Sequence, residues 1–189
     1  MNPDQSPAVK IAYFRYTGLA YLGKKQYIVI HLRNGIKRSI SKMCKCFDVA
    51  NYFLRSPEYE DPSEAISNMK LQKLMYFAQG HALAILDRPL FPEDFEAWRH
   101  GPVIPSLYRV YRRFGSEKIT PPETIDLSRF APEEKDLLES VWLTYGGYSA
   151  WGLRNLSHSS APWKSHKDDG SVIPKDEMRS YFLALGNEG

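Results

Sequence analysis

One segment, residues 68–87, constrains the fold of this 189-residue chain more than any other: NMKLQKLMYFAQGHALAILD. Apolar side chains recur along it at helical spacing and form one stripe, at Leu71, Leu74, Met75, Ala78, Ala82, Ile85 and Leu86. Such a stripe predicts a helix with one face against a core. Asn68 is the expected N-cap and Asp87 the exit. Gly80 lies on or near the packed face, where a missing side chain permits the close approach of another helix.

Shorter segments with the same period predict a helical body around this element. Helices are expected at residues 46–54, from Pro105 to Gly115, from Pro132 to Tyr145, from Ser149 to about His158, and from Pro174 onward. On the helix from Pro105 to Gly115, the side chains expected to point inward are Leu107, Val110, Tyr111 and Phe114. Residues 88–106 and 159–171 are expected to be loops. The prediction is therefore a compact, single all-α domain of about six helices over residues 45–186.

The N-terminal segment, residues 1–44, differs from this body in charge and pattern. Residues 1–45 hold nine lysines and arginines and one acid, whereas the rest of the chain holds 16 basic and 21 acidic residues. An apolar run, the pair Asn34-Gly35 and alternating isoleucines predict a β-hairpin over residues 27–40. We expect a basic extension that forms this hairpin or is disordered. The mildly acidic body argues against a nucleic-acid groove there, whereas the basic arm leaves DNA as an option.

The same sequence argues against membrane and extracellular classes. No apolar run approaches the roughly 20 residues that a membrane span needs, and the N-terminus lacks the layout of a signal peptide. Cys44 and Cys46 are too close in sequence for an ordinary disulfide and have no partners for a zinc site. We interpret them as reduced thiols in a cytoplasmic protein without a membrane partner.

The histidines do not form a recognisable catalytic or metal-binding motif. His81 lies beside the apolar stripe and is expected to be a packing or hydrogen-bonded histidine. His158 and His166 are spaced too loosely for a helical metal pair. His100 has no local partner that would make it a general base. We therefore predict no catalytic, cofactor-binding or metal-binding residues. The alternative left open is an enzyme that acts on a nucleotide or phosphoester through His100, His158 and His166.

The segment EAWRHGPVIPSLYRVYRRFG, residues 96–115, joins a Gly-Pro turn to a helix rich in tyrosine and arginine. Arg109, Arg112 and Arg113 on that helix are able to contact phosphates or the acids of a protein partner. No nucleic-acid recognition motif accompanies them. Because arginine, tyrosine and tryptophan dominate the hot spots of protein interfaces, a protein partner is favoured.

Three pieces of the sequence together resemble one family. They are FDVANYFL at 47–54, the run from Met69 to Gly115, and LSHSSAPW at 156–163 followed by IPKDEMRSYF. The KLQKLMYFAQG helix and the EAWRHGPVIPSLY corner resemble the hallmarks of the Panacea domain, the SocA-like family often found in prophages. The resemblance covers residues 46–183. It implies an all-α cytoplasmic antitoxin that binds a cognate toxin and has no established catalytic residues. Some members are thought to deliver the toxin to a cellular protease, which is a second alternative.

Two expectations follow from the resemblance. The first is a partner-binding surface on the corner that includes Trp98, Arg99, His100, Gly101, Pro102, Tyr108, Arg109 and Arg112. The second concerns the N-terminus: family members start shortly before the first helix, so translation is expected to begin at Met43. Residues 1–42 would then be an annotation overhang. If they are translated, the basic arm is expected to contact the toxin or operator DNA.

Overall fold

The computed structural model describes residues 46–56 and 66–187. Within these residues the chain forms seven α-helices and a small three-stranded sheet. The elements are α1 (Cys46–Leu54), α2 (Asn68–Ile85), β1 (Phe95–Trp98), β2 (Gly101–Val103), α3 (Pro105–Tyr111), α4 (Pro132–Tyr145), α5 (Ala150–Ser159), α6 (Ala161–His166), β3 (Val172–Ile173) and α7 (Lys175–Asn187). The predicted helical fold class is confirmed for this part of the chain. The predicted hairpin at 27–40 lies outside the described residues.

Helix α2 is the centre of the domain. Every side chain from Lys70 to Leu83 is buried, so the helix is enclosed on all sides rather than along one stripe. Its N-cap is Ser67, whose hydroxyl accepts from the backbone N–H of Lys70, and not Asn68 as the sequence predicted. Asn68 is instead the first residue of the helix, and its side-chain amide donates to the carbonyl of Tyr108 at 3.2 Å. Its side-chain oxygen, the atom that would cap the helix, accepts from the Gln72 amide at 3.2 Å.

Helix α7 crosses α2 at Gly80, as the missing side chain predicted. The Phe182 ring occupies the position that a Cβ atom on residue 80 would need. This ring is fully buried and makes edge contacts with Tyr76, Phe77 and His81. The close approach therefore depends on glycine in α2 and on an aromatic ring in α7.

Helix α4 packs with the stripe that the sequence predicted, Leu137, Leu138, Val141, Trp142 and Tyr145, all of them buried. Glu134 fixes the start of this helix. One carboxylate oxygen accepts from the backbone N–H of Ala131 at 2.8 Å, and the other accepts from Arg88 at 2.5 Å. Because the Glu134 side chain has no exposed surface, these bonds compensate for its loss of hydration.

Replacing Glu134 with alanine is expected to lower the free energy of unfolding by about 3 kcal/mol, since it removes a helix cap and leaves Arg88 without its buried partner. The matched control is Glu133→Ala. Glu133 also pairs with Arg88, at 3.3 Å, but its side chain is 31% exposed. Its loss is expected to cost less than about 1 kcal/mol. Urea denaturation of both variants measures the difference, and equal costs would contradict the assigned role of Glu134.

Two segments that the sequence predicted as loops contain regular structure. Residues 88–106 include β1 and β2, which pair antiparallel with Trp98 opposite Gly101 and Glu96 opposite Val103. β3 adds to the other edge of β1, giving the order β2-β1-β3. Residues 159–171 include α6. These elements have two to six residues each, too few for a periodic pattern to emerge, and tertiary packing supplies their stability instead.

The exposed side of α3 also differs from the prediction. Leu107 is fully buried, and Tyr111 and Phe114 are half-buried against the core, as expected. Val110 was predicted to point inward but is 51% exposed. The helix ends at Tyr111 and continues as a short 3₁₀ turn, Arg112–Phe114. The buried stripe of this short helix runs through Leu107 and Tyr111, at i and i+4, and Val110 lies outside it.

Cys46 is the first residue of α1 and is fully buried in the core. Burial, followed by the nearby Glu93 carboxylate, raises the pKa of its thiol to about 12. Such a thiol is unreactive at neutral pH. None of the helices in the two described ranges has the length and apolar character that a membrane span would require.

Candidate partner-binding site

The predicted corner is a tight hairpin between β1 and β2. Arg99 and His100 form its turn and are exposed. Gly101 follows with a φ of +96°, a backbone conformation that other residues rarely adopt. A Cβ atom there would lie 2.6 Å from the Ser157 hydroxyl and 2.7 Å from Cε of Lys73. Glycine is therefore required both by the turn and by the packing of the turn on α2 and α5.

Polar side chains of α2 hold this corner by its backbone. The buried ammonium of Lys73 donates to the carbonyl of Pro102 at 2.7 Å. The side-chain oxygen of Gln72 accepts from the backbone N–H of Ile104 at 2.8 Å. Both Gly101 and Pro102 are themselves buried, so these two members of the predicted surface shape the turn beneath it.

The Gln79 side chain likewise holds the backbone of the segment that precedes β1. Its amide donates to the carbonyl of Phe91 and accepts from the N–H of Leu90, each at 2.9 Å. Sequence reasoning missed this function of the polar residues of the KLQKL helix. The signal was present, because three of the polar residues (Gln72, Lys73 and Gln79) lie within a helix that is otherwise core, where a polar group needs a buried partner.

Trp98 lies at the end of β1 and is half-buried. Its indole N–H donates to the carboxylate of Glu96 at 2.7 Å, and its ring meets Tyr108 edge-on, with 5.0 Å between the ring centroids. Its backbone carbonyl accepts from the indole N–H of Trp163 at 3.0 Å. The buried Trp163, 7% exposed, is thus the residue that anchors the corner to the core. Part of the Trp98 ring is exposed to solvent.

The remaining predicted residues lie on and after α3. Tyr108 is half-buried against Trp98, whereas Arg109 and Arg112 are exposed. Neither arginine forms an ion pair with another residue that the structure describes. The structure brings Trp98 and Tyr108 together and leaves the two arginines available to solvent.

Helix α5 adds a second group of residues beside the hairpin turn. The Trp151 ring is 58% exposed and lies 6.0 Å from the His100 ring, edge to face. The Arg154 guanidinium lies 5.3 Å above the Trp151 ring, at a cation–π distance. Neither residue belongs to the surface that the sequence predicted. Their signal was the spacing Trp151, Arg154 and His158, which places all three on one face of a helix.

His158 and His166, which lie on either side of Ala161-Pro162-Trp163, contact different partners. The His158 ring stacks on Trp163 with 3.6 Å between centroids. Burial, reinforced by the positive charge of Arg154 and Lys73, lowers its pKa to about 4. His166 contacts the Ser171 hydroxyl and the Glu177 carboxylate, at 2.9 and 3.1 Å. Among the described residues, no three histidines, cysteines or acids are grouped as a metal site would require.

His81 lies within the core, as predicted. Its Nε2 atom and the Tyr145 hydroxyl are 3.0 Å apart, and its ring packs against Phe182. Burial lowers its pKa to about 3, so the ring is neutral at physiological pH. This histidine belongs to the packing of α2, α4 and α7.

The family model described as "Antitoxin SocA-like, Panacea domain" matches residues 71–164, which run from α2 through β1, β2 and α3 to α6. The chain is also 38% identical over 109 residues to Antitoxin SocA of Caulobacter vibrioides (strain NA1000 / CB15N). Residues 71–164 are therefore similar to a SocA-like Panacea domain. The alignment with Antitoxin SocA covers 52% of this chain and 58% of that relative, so the chain spans less than two thirds of its length. No solved structure matches the chain significantly.

The matched part of the Panacea domain contains every residue of the predicted surface, together with Trp151, Arg154 and His158. Beside the hairpin turn the domain also has an open hollow of about 450 Å³. Trp98, Arg99, Trp163 and Lys167 contribute to its lining. Around the corner, the chain thus combines exposed aromatic rings, a concave surface, and two arginines, Arg109 and Arg112, that form no ion pair with the described residues.

Lys73 gives the domain a characteristic pH dependence. Burial, followed by the charge of Arg154, lowers its pKa from the ordinary 10.5 to about 7. Between these values the unfolded chain binds more protons at this residue than the folded chain. This lysine therefore makes the free energy of unfolding rise from pH 7 toward pH 10.5, by up to about 1.4 kcal/mol per pH unit.

The Lys73→Met variant is expected to lack this component, whereas Lys164→Met, at an exposed position of α6, is expected to retain it. Denaturation in urea at pH 7, 8 and 9 measures the difference between the two slopes. Parallel pH dependences of the wild type and Lys73→Met would show that Lys73 titrates normally.

Proposed function

We propose that this protein is an antitoxin that neutralises a cognate toxin by binding it directly. The observation that carries the proposal is the match of residues 71–164 to the SocA-like Panacea domain together with the 38% identity to Antitoxin SocA. The proposed contact surface is the corner: Trp98, Arg99 and His100 of the hairpin, and Tyr108, Arg109 and Arg112 of the following helix. Gly101 and Pro102 support this surface from beneath.

The chemistry of the corner suits a protein partner. Half-buried Trp98 and Tyr108 offer aromatic area whose orientation is already fixed by packing, so little side-chain entropy is lost on binding. Arg109 and Arg112 lie beside them with no acidic partner among the described residues. Tryptophan, tyrosine and arginine are the residue types most often found at interface hot spots.

The alternative of an enzyme has one geometric candidate, the hydrogen-bonded series Ser171, His166 and Glu177. A nucleophilic serine must give its proton to the histidine. The backbone N–H of Ser171 also donates to the Asp169 carboxylate at 3.0 Å, which holds this serine within the turn between α6 and β3. This arrangement favours a structural link between α6, the turn and α7.

Expression together with the neighbouring reading frame tests the proposal. The neighbouring product alone is expected to arrest growth, and coexpression is expected to restore it while both proteins copurify as a complex. Immunoblotting of the toxin separates the two modes of antitoxin action. A toxin that persists during rescue supports neutralisation by binding, whereas a toxin that disappears only when cellular proteases are intact indicates delivery to a protease. A neighbour that is harmless alone would refute the proposal for that pair.

A further inference from the structure

Four basic side chains, one lysine, one arginine and two histidines, converge where the hairpin turn meets α5. Lys73 is 1% exposed and forms its one hydrogen bond among the described residues with the Pro102 carbonyl. Arg154 and His158 lie on the α5 face that packs over this region, and His100 approaches from the turn. Arg154, Lys73 and His100 all act electrostatically on His158. The four groups therefore share one local field.

Two nitrogen atoms of this cluster are buried and lack a partner. They are Nε of Arg154 and Nε2 of His158, neither of which makes a hydrogen bond in the described structure. Buried side-chain nitrogens in folded proteins are almost always hydrogen-bonded. These nitrogens lack hydrogen-bond acceptors, and they lie beside positively charged side chains. A bound anion would supply both the acceptor and the opposite charge.

The acids around the cluster are engaged elsewhere. Asp168 pairs with Lys167 at 3.0 Å, and Glu96 accepts from the Trp98 indole. Within the described ranges no carboxylate lies within ion-pair distance of Lys73, His100 or Arg154. Confining unpaired charge near the interior costs free energy, which a bound anion would recover.

We infer that Lys73, His100, Arg154 and His158 form a binding site for a carboxylate of the partner protein. This inference rests on the proposed function and names the chemistry by which the partner is recognised. The rings of Trp151 and Trp163 frame the cations, so an acidic side chain arriving on a protein surface would also find aromatic area to cover. His100 and Arg154 reach the anion from the solvent side, while Lys73 supplies positive potential beneath them.

Binding of an anion is coupled to protonation. In the free protein the pKa of Lys73 is lowered to about 7 and that of His158 to about 4, by burial and by neighbouring positive charge. The charged and titratable groups that act on His158 besides Lys73 are Arg154, His100 and Lys167. The nearby acid is Asp168, which forms an ion pair with Lys167. A bound carboxylate raises both pKa values. The affinity is therefore expected to rise as the pH falls from 8.5 to 6.

The test uses a defined probe, an N-acetylated and C-amidated hexaglutamate peptide, titrated into the full chain. Binding is followed through the imidazole signals of His158 and the indole N–H signals of Trp151 and Trp163 by NMR. We expect saturable shifts with hexaglutamate, none with hexaglutamine, and an affinity at least about fivefold weaker for Arg154→Gln. Lys164→Gln, which removes one charge from an exposed position of α6, is expected to bind as the wild type does.

Three outcomes would overturn the inference: no shift with hexaglutamate, equal binding by Arg154→Gln, or binding of inorganic phosphate with none of hexaglutamate. The last would assign the site to free phosphate. If Arg154→Gln proves poorly folded by circular dichroism, the same titration is made with His158→Gln. The peptide assay is independent of the toxin. A toxin that binds Arg154→Gln and the wild type equally refutes this site alone, while peptide binding without any toxin complex refutes the antitoxin proposal alone.

Discussion

Phe182→Ala is expected to lower the free energy of unfolding by about 3–5 kcal/mol, the largest stability effect of a single substitution considered for this protein. The ring is fully buried and lies against Gly80, Tyr76, Phe77 and His81 of α2. Removing it leaves a cavity that α2 cannot close, because the rings on either side are fixed by their own packing. A loss of this size is a large fraction of the stability of an ordinary domain.

The control for this prediction is Leu143→Ala, which removes an apolar side chain that is 66% exposed on α4. Its effect is expected to stay within about 0.5 kcal/mol. Chemical denaturation of both variants gives the comparison. If Phe182→Ala cost no more than Leu143→Ala, the contact between α7 and α2 would not be the main packing interface of the domain.

The second prediction concerns function. Arg109→Glu combined with Arg112→Glu is expected to abolish rescue from the cognate toxin and to weaken the complex at least about 30-fold, which corresponds to about 2 kcal/mol. Both side chains are exposed, and the structure describes no ion pair for either, so their reversal leaves the fold intact. The two new carboxylates would repel any acidic group of the toxin that binds these arginines.

A double variant with the same change in net charge serves as the control: Lys164→Glu with Arg179→Glu, at exposed positions of α6 and α7. It is expected to rescue as the wild type does. Growth curves measure rescue, and thermal unfolding confirms that both double variants are folded. Equal loss of rescue by the two would mean that net charge, rather than the corner, determines toxin binding.

Long, strongly patterned elements were predictable from the sequence. The core positions of α4, one buried stripe of α2 and the glycine at the α2–α7 crossing follow from helical period and side-chain size, whereas the burial of the other faces of α2 does not. The hairpin of β1 and β2 and the short α6 were not predicted, because segments of three to six residues are too short to show a periodic pattern. Their positions are set by bonds from distant residues, such as Trp163 to the carbonyl of Trp98.

The corner was predictable as a turn, and its exposed arginines as a surface. The contribution of α5 was not, since Trp151 lies beside His100 only after the chain has folded back on itself. Lys73 illustrates the same limit: on a helical wheel it is a polar residue next to an apolar stripe, and solvent exposure is the ordinary expectation. In the folded chain Lys73 is buried, and its Nζ atom donates a hydrogen bond to the Pro102 carbonyl.

The affinity between this purified protein and the purified product of the neighbouring reading frame tests the central claim most directly. Isothermal titration is expected to give a defined stoichiometric complex for the wild type and a Kd at least about 30-fold higher for Arg109→Glu with Arg112→Glu. Rescue of growth with no complex in the calorimeter, or an unchanged Kd for the variant, would contradict neutralisation by direct binding through the corner.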